Sequence, residues 1–151
     1  MTKVKDIMTE DPMTVSPTTS VRDLAVSLIE KNYTGAPVVD EDGTLVGVVT
    51  ESDLIYQHKN LHLPTVITLF DSVLTLGGSH ELETQIKKML GSEVADIMTK
   101  EILSVDEETS LDDVATIMSE KGKHYLPVLR AEKLVGVVDR SDVVRAIIKE
   151  N

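Results

Sequence analysis

Cysteine and tryptophan are absent from the 151 residues, and Tyr and Phe together bring the aromatic share to only 3%. Without thiols there is no disulfide, no zinc–thiolate site and no cysteine nucleophile, which suits a cytoplasmic protein. Without large rings the interior has to be packed from Val, Ile, Leu and Met. Basic residues are also scarce: 15 Lys and Arg against 26 Asp and Glu leave a formal charge of −11. Such a surface repels phosphate backbones at range and argues against nucleic-acid binding, although a local nest of backbone N–H groups still suits a small anion. No stretch approaches the about 18 consecutive apolar residues of a membrane span, and the start MTKVKDIMTEDP has no apolar signal core. A soluble chain without membrane insertion is expected. Walker A, G-x-G-x-x-G and G-x-S-x-G patterns are missing, and no nucleophile–base pair stands out, so no enzyme is expected.

What is present is a repeat. Residues 4–43 align with 94–133 with 14 identities in 40 positions, and 45–57 align with 134–146 with 7 in 13. Unrelated sequences of average composition would match at about one position in fifteen, so this is a duplication. Each copy opens with VKDIMT or VADIMT and continues through a short extended piece, MTVSP or LSVDE. Ser20 and Ser110, each with Asp three residues on (Asp23, Asp113), have helix-capping spacing. Apolar residues at Val21, Leu24, Ala25, Leu28 and Ile29, and at Leu111, Val114, Ala115 and Met118, then form a helical stripe. Two valine-rich runs split by a turn predict a pair of buried strands, and a second helix is expected from Ser52 or Ser141. The predicted unit is β-α-β-β-α. At about 55 residues it is marginal for independent stability, so two copies packed sheet to sheet are expected.

Residues 58–92 have no repeat partner. Ser79 to Leu90 reads as a capped amphipathic helix, and Pro64 to Leu76 divides between strand propensity and helical spacing, with helix favoured. The expected organisation is repeat one at 1–57, a helical insert at 58–92 and repeat two at 93–151. His58 and His62 have the i,i+4 spacing of a helical metal pair. No third ligand accompanies them and Leu-Pro follows, so they read as solvated linker histidines and no metal site is expected.

The G-V-V-T-E-S-D segment, Gly47 to Asp53, carries the clearest chemistry. A helix that starts directly after a strand presents free N–H groups and its positive dipole end to phosphate, and the Thr50 hydroxyl adds a donor. Asp53 offers a carboxylate to ribose hydroxyls. The same Thr-x-x-Asp spacing also serves as a simple capping box, and the two roles are compatible. Copy two reads Gly136 to Asp142 and keeps Asp142, but it has Asp139 where copy one has Thr50. That carboxylate caps a helix equally well, yet repels phosphate and removes a donor. The second site is therefore empty, takes a ligand with fewer phosphates, or uses a divalent cation such as Mg²⁺ as a bridge, with Arg140, Lys123 or His124 available to compensate. Tyr125, at the position of Gly35, either stacks on a base or fills space as a partly buried core residue.

Two copies of DIMT, a capped helix, an apolar-Pro-Val-Val strand and G-V-V-[TD]-x-S-D, in matched order, resemble the CBS-domain pair, or Bateman module. The resemblance covers nearly the whole chain except the insert. It implies an α/β (α+β) fold of two tandem repeats with pseudo-twofold symmetry, and an adenosine-containing regulatory ligand: AMP, ADP, ATP or S-adenosylmethionine. By the same resemblance Thr34, Gly35, Ala36 and Pro37 line a base slot, joined by Val49, Thr50, Ser52 and Asp53. The second set is His124, Tyr125, Leu126, Pro127, Asp139, Arg140, Ser141 and Asp142. A homodimer is implied, and a protein partner supplied in trans would read the ligand. The alternative is a constitutive interaction scaffold whose clefts bind nothing.

Overall fold

The computed structural model describes residues 1–60 and 92–150, without the side chains of 57–60. The helix expected at Ser79–Leu90, the segment Pro64–Leu76 and the His58/His62 side-chain pair lie outside the described residues. The elements are α1 (Val4–Ile7), β1 (Thr9–Glu10), α2 (Val21–Lys31), β2 (Gly35–Val39), β3 (Leu45–Thr50) and α3 (Glu51–Asn60). The second copy follows as α4 (Val94–Ile97), β4 (Val105–Asp106), α5 (Leu111–Lys121), β5 (Tyr125–Arg130), β6 (Lys133–Asp139) and α6 (Arg140–Glu150).

Both long crossing helices start where their caps dictate. Ser20 Oγ accepts from the Asp23 amide at 3.0 Å and Ser110 Oγ from the Asp113 amide at 3.1 Å, which satisfies an orphan N–H of each first turn. Both end on a left-handed residue, Asn32 (φ 58°) and Gly122 (φ 63°), the residue types for which that conformation costs least. The stripe faces inward at Val21, Leu24 and Leu28, and at Leu111, Val114 and Met118. Ile29 departs from the expected stripe: it is 80% exposed, because it stands beside Leu28 near the end of α2 and has turned off the buried face. Helices α3 and α6 begin at Glu51 and Arg140, one residue before the expected Ser52 and Ser141.

The strand pairs β2–β3 and β5–β6 are antiparallel hairpins. Each receives a parallel neighbour from its own copy, through the Val15–Val38 bridge in one and β4 beside β5 in the other. The fourth position of each sheet is filled by the other copy. Strand β1 pairs with β6, Thr9 opposite Val137, and Thr99 pairs with Val48 in β3. The helical turns before these residues cross over with them. Val4 is fully enclosed in the core of the second copy, among Leu126, Val128 and Val138, and Val94 in that of the first, among Leu24, Val38 and Val49. Burying one valine stabilises by roughly 1.5–3 kcal/mol relative to exposure, so each repeat is completed by its neighbour's opening segment. Matching hydrogen bonds seal the exchange: the Val4 amide donates to the Thr109 carbonyl and the Val94 amide to the Thr19 carbonyl, both at 2.8 Å.

Gly47 and Gly136 permit this crossing. A Cβ on Gly47 would lie 2.8 Å from Met98 Sδ, and one on Gly136 would lie 2.7 Å from the Thr9 carbonyl oxygen. The duplicated glycine of the G-V-V motif is therefore a requirement of close backbone approach.

Candidate ligand-binding clefts

The exchange creates two unequal clefts related by the internal pseudo-twofold. The larger, about 320 Å³, is lined by Val48, Thr50–Asp53, Thr99, Glu101, Leu103, Gly122–Leu126, Asp139–Ser141 and Thr34. The smaller, about 50 Å³, is lined by Thr9, Pro12, Met13, Asn32–Gly35, Tyr125, Val137 and Asp139. The two linings correspond through the repeat: Thr99 to Thr9, Leu103 to Met13, Gly122–Tyr125 to Asn32–Gly35, Val48 to Val137, and Thr50 to Asp139.

Of the residues singled out from sequence, Thr34, Thr50, Ser52, Asp53, His124, Tyr125, Leu126, Asp139, Arg140 and Ser141 line the larger cleft. The expected grouping is changed, however. Thr50–Asp53 meets the Gly122–Leu126 segment of the other repeat, whereas Gly35 borders the smaller cleft and Thr34 touches both. The reason is the crossed sheet: with each repeat's opening segment in its neighbour, a helix start faces the strand start across the pseudo-twofold. Ala36, Pro37, Val49 and Pro127 line neither cleft, since their side chains are fully enclosed in the two cores. Asp142 is also withdrawn. It is 7% exposed, its Oδ2 accepts from the Asp139 amide at 2.9 Å, and its Oδ1 accepts from Arg145 at 2.6 Å. Thr99, Glu101 and Leu103 escaped the sequence reading. The duplicated Thr of DIMT was the available signal, but the exchange that brings it to the cleft depends on pairing between residues far apart in the chain.

The two helix starts differ in their caps. In the second repeat the box is closed: the Asp142 amide donates to Asp139 Oδ1 at 3.0 Å while Asp142 accepts in return. In the first repeat Asp53 Oδ2 accepts from the Thr50 amide at 2.8 Å, and the Thr50 hydroxyl leans toward the same carboxylate at 3.4 Å instead of capping the Asp53 amide. Asp53 is half-buried beside the larger cleft, and among the described residues both of these bonds fall on Oδ2.

Charge is distributed to match. Lys123, His124 and Arg140 line the larger cleft together with Asp53, Glu51 and Glu101. One cleft therefore carries cationic donors, a hydroxyl, a carboxylate and the apolar Val48, Leu103 and Leu126. In the smaller cleft Tyr33 replaces Lys123 and Asp139 replaces Thr50. Burial pushes the Tyr125 phenol well above its ordinary range, with the Asp139 carboxylate and Tyr33 adding to the shift, so it stays a neutral donor. Burial likewise raises the Asp142 carboxyl. Among the described residues there is no cluster of three or more His, Cys, Asp or Glu arranged to hold a metal ion. No helix among them is long and apolar enough to cross a membrane.

Two copies of one α+β unit, each completing the other's sheet, define a paired-repeat class. The family model for the CBS domain matches twice, at residues 4–59 and 94–149, and the chain belongs to that family. It is 38% identical over 151 residues to the chloroplastic CBS domain-containing protein CBSX2 of Arabidopsis thaliana, covering 97% of this chain and 63% of that protein. The chain thus spans about three fifths of that relative's length. The crystal structure of CBSX2 in complex with AMP superposes with a TM-score of 0.74 at 36% identity, covering 99% of this chain and 98% of that one. The CBS domain pair of protein MJ0100, solved with 5′-methylthioadenosine and S-adenosyl-L-methionine, gives a TM-score of 0.72 at 26% identity, covering 100% and 99%.

Proposed function

We propose that the chain is a regulatory module that binds an adenosine-containing ligand in the larger cleft and transmits its occupancy to a protein partner. The single observation behind this reading is the about 320 Å³ cleft in which Thr50, Asp53, Lys123 and Arg140 converge beside an apolar wall. That volume falls within the range of small-molecule sites, roughly 300–1,000 Å³. Asp53 would accept from the ribose hydroxyls, Lys123 and Arg140 would neutralise phosphate, and Val48, Leu103 and Leu126 would pack on the base. The AMP bound by CBSX2 and the adenosyl compounds bound by MJ0100 support the ligand class. The module is read as non-catalytic. Incubation with ATP should leave it unconverted by chromatography. A homodimer, a cytoplasmic setting and a partner acting in trans complete the reading.

A thermal-shift panel of AMP, ADP, ATP, GTP and S-adenosylmethionine, with and without Mg²⁺, tests it. At a hundredfold excess over the dissociation constant, a ligand that binds only the folded state adds about 2.7 kcal/mol. Adenine compounds should raise the melting temperature, GTP should not, and Asp53→Ala should lose the shift while keeping the fold. A full shift in that variant would remove Asp53 from the site. If no adenine compound shifts the wild type, the constitutive scaffold becomes the better account. The closed cap at Asp139 and the about 50 Å³ of the smaller cleft favour that reading for the second site.

A further inference from the structure

Tyr125 occupies an unusual place between the two clefts. Its pseudo-twofold counterpart is Gly35, so the ring has no equivalent in the other repeat. A Cβ built on Gly35 would lie 3.2 Å from Tyr125 Cδ2, which shows that the ring rests against the space the glycine leaves. Tyr125 lines the larger cleft from its own side and also enters the smaller one, whereas Gly35 borders only the smaller. The smaller cleft is therefore narrowed by a ring that crosses from the other repeat, and the larger suffers no reciprocal intrusion. At about 50 Å³ the smaller cleft falls far below the roughly 300 Å³ that small-molecule sites need, and the ring takes part of that space.

We propose that the Tyr125 ring, seated against Gly35, is the partition that closes the second of the two pseudo-equivalent clefts and limits each chain to one adenosyl ligand. The limit on ligand number rests on the proposed function; the partition itself does not. Asp139 borders both clefts, and in the smaller it takes the place that the Thr50 hydroxyl has in the larger, so a phosphate seated there would meet a carboxylate even if the ring were removed.

The absence of cysteine provides a clean test. Met13→Cys puts a single thiol on the wall of the smaller cleft, and its reaction with a thiol reagent reports access without any ligand. In the Tyr125→Ala background labelling should be about tenfold faster or more, because the reagent no longer waits for a local opening. Tyr125→Phe should label like the parent, since the ring and not the hydroxyl forms the partition. Equal rates with Tyr and with Ala would overturn the proposal. Equilibrium dialysis with AMP completes it: one AMP per wild-type chain is expected, and two per chain for Tyr125→Ala combined with Asp139→Thr. Two per wild-type chain, or one per chain for the double variant, would overturn the limit on ligand number. A wild type that binds no AMP, yet shows the labelling difference, would remove the proposed function and leave the partition standing.

Discussion

The two clefts correspond through the internal repeat but differ in volume and in lining. In the larger, Lys123, Arg140, Thr50 and Asp53 stand around an open volume; in the smaller, Tyr33 and Asp139 take the positions of Lys123 and Thr50, and the ring of Tyr125 enters beside Gly35. None of these exchanges disturbs the fold, because each lies at a strand start, a helix cap or a rim. The caps show this well. Thr50 and Asp139 both end a buried strand and both leave the following Asp to accept the strand-end amide, at 2.8 and 2.9 Å. What differs is the return bond, present from the Asp142 amide to Asp139, and the chemistry presented to the cleft. Pseudo-equivalent clefts of a duplicated fold can thus come to differ through single-residue changes.

The largest effect should come from giving the second repeat the small residue of the first. Leu126 is 1% exposed and its counterpart in the first repeat is Ala36. Leu126→Ala should lower stability by about 2–5 kcal/mol, read from urea unfolding, since it removes buried methylenes and leaves a cavity. A loss below about 1 kcal/mol would mean that the floor of the larger cleft collapses freely. Next, the two cap carboxylates should separate. Asp142 is buried and accepts from both an amide and Arg145, so Asp142→Ala should cost about 1–3 kcal/mol. Asp53→Ala should cost closer to the 1 kcal/mol or so of an ordinary cap. The reverse order in denaturant midpoints would contradict the division into a structural and a ligand-facing carboxylate.

A smaller effect concerns the crossed segments. Lys3 and Lys5 both bond Glu108, the latter at 2.7 Å, whereas the corresponding positions of the other crossing are Glu93 and Ala95 against Thr18. The two lysines hold the Glu108 carboxyl down to about 2. Since the folded value lies below the unfolded one, this contribution is present above about pH 4.5 and is lost as the pH falls through about 2. Melting temperatures of wild type and Glu108→Gln should therefore differ slightly at neutral pH, converge toward pH 2, and converge also in high salt, because the pair is solvent-exposed. A gap that persists at pH 2 would show that the pair acts through packing and not through charge.

Much of this molecule is legible one repeat at a time. Capping serines, the stripes of α2 and α5, the valine hairpins and the Thr50–Asp53 segment are local patterns, and periodicity and propensity reveal them because each depends on residues within a few positions of one another. The duplication itself announces two equivalent copies. What the sequence could not convey is which copy owns which neighbour. The DIMT segments cross into the opposite sheets, Val4 and Val94 fill each other's cores, and Thr99 and Gly122–Leu126 share a cleft with Thr50 across the pseudo-twofold. Burial of Ala36, Pro37, Val49, Pro127 and Asp142 belongs to the same category. The linear pattern specified the elements and the chemistry available; long-range packing alone decided where the openings between them fall, because a completed sheet lowers free energy equally well with its own strand or its neighbour's, and only the assembled backbone chooses.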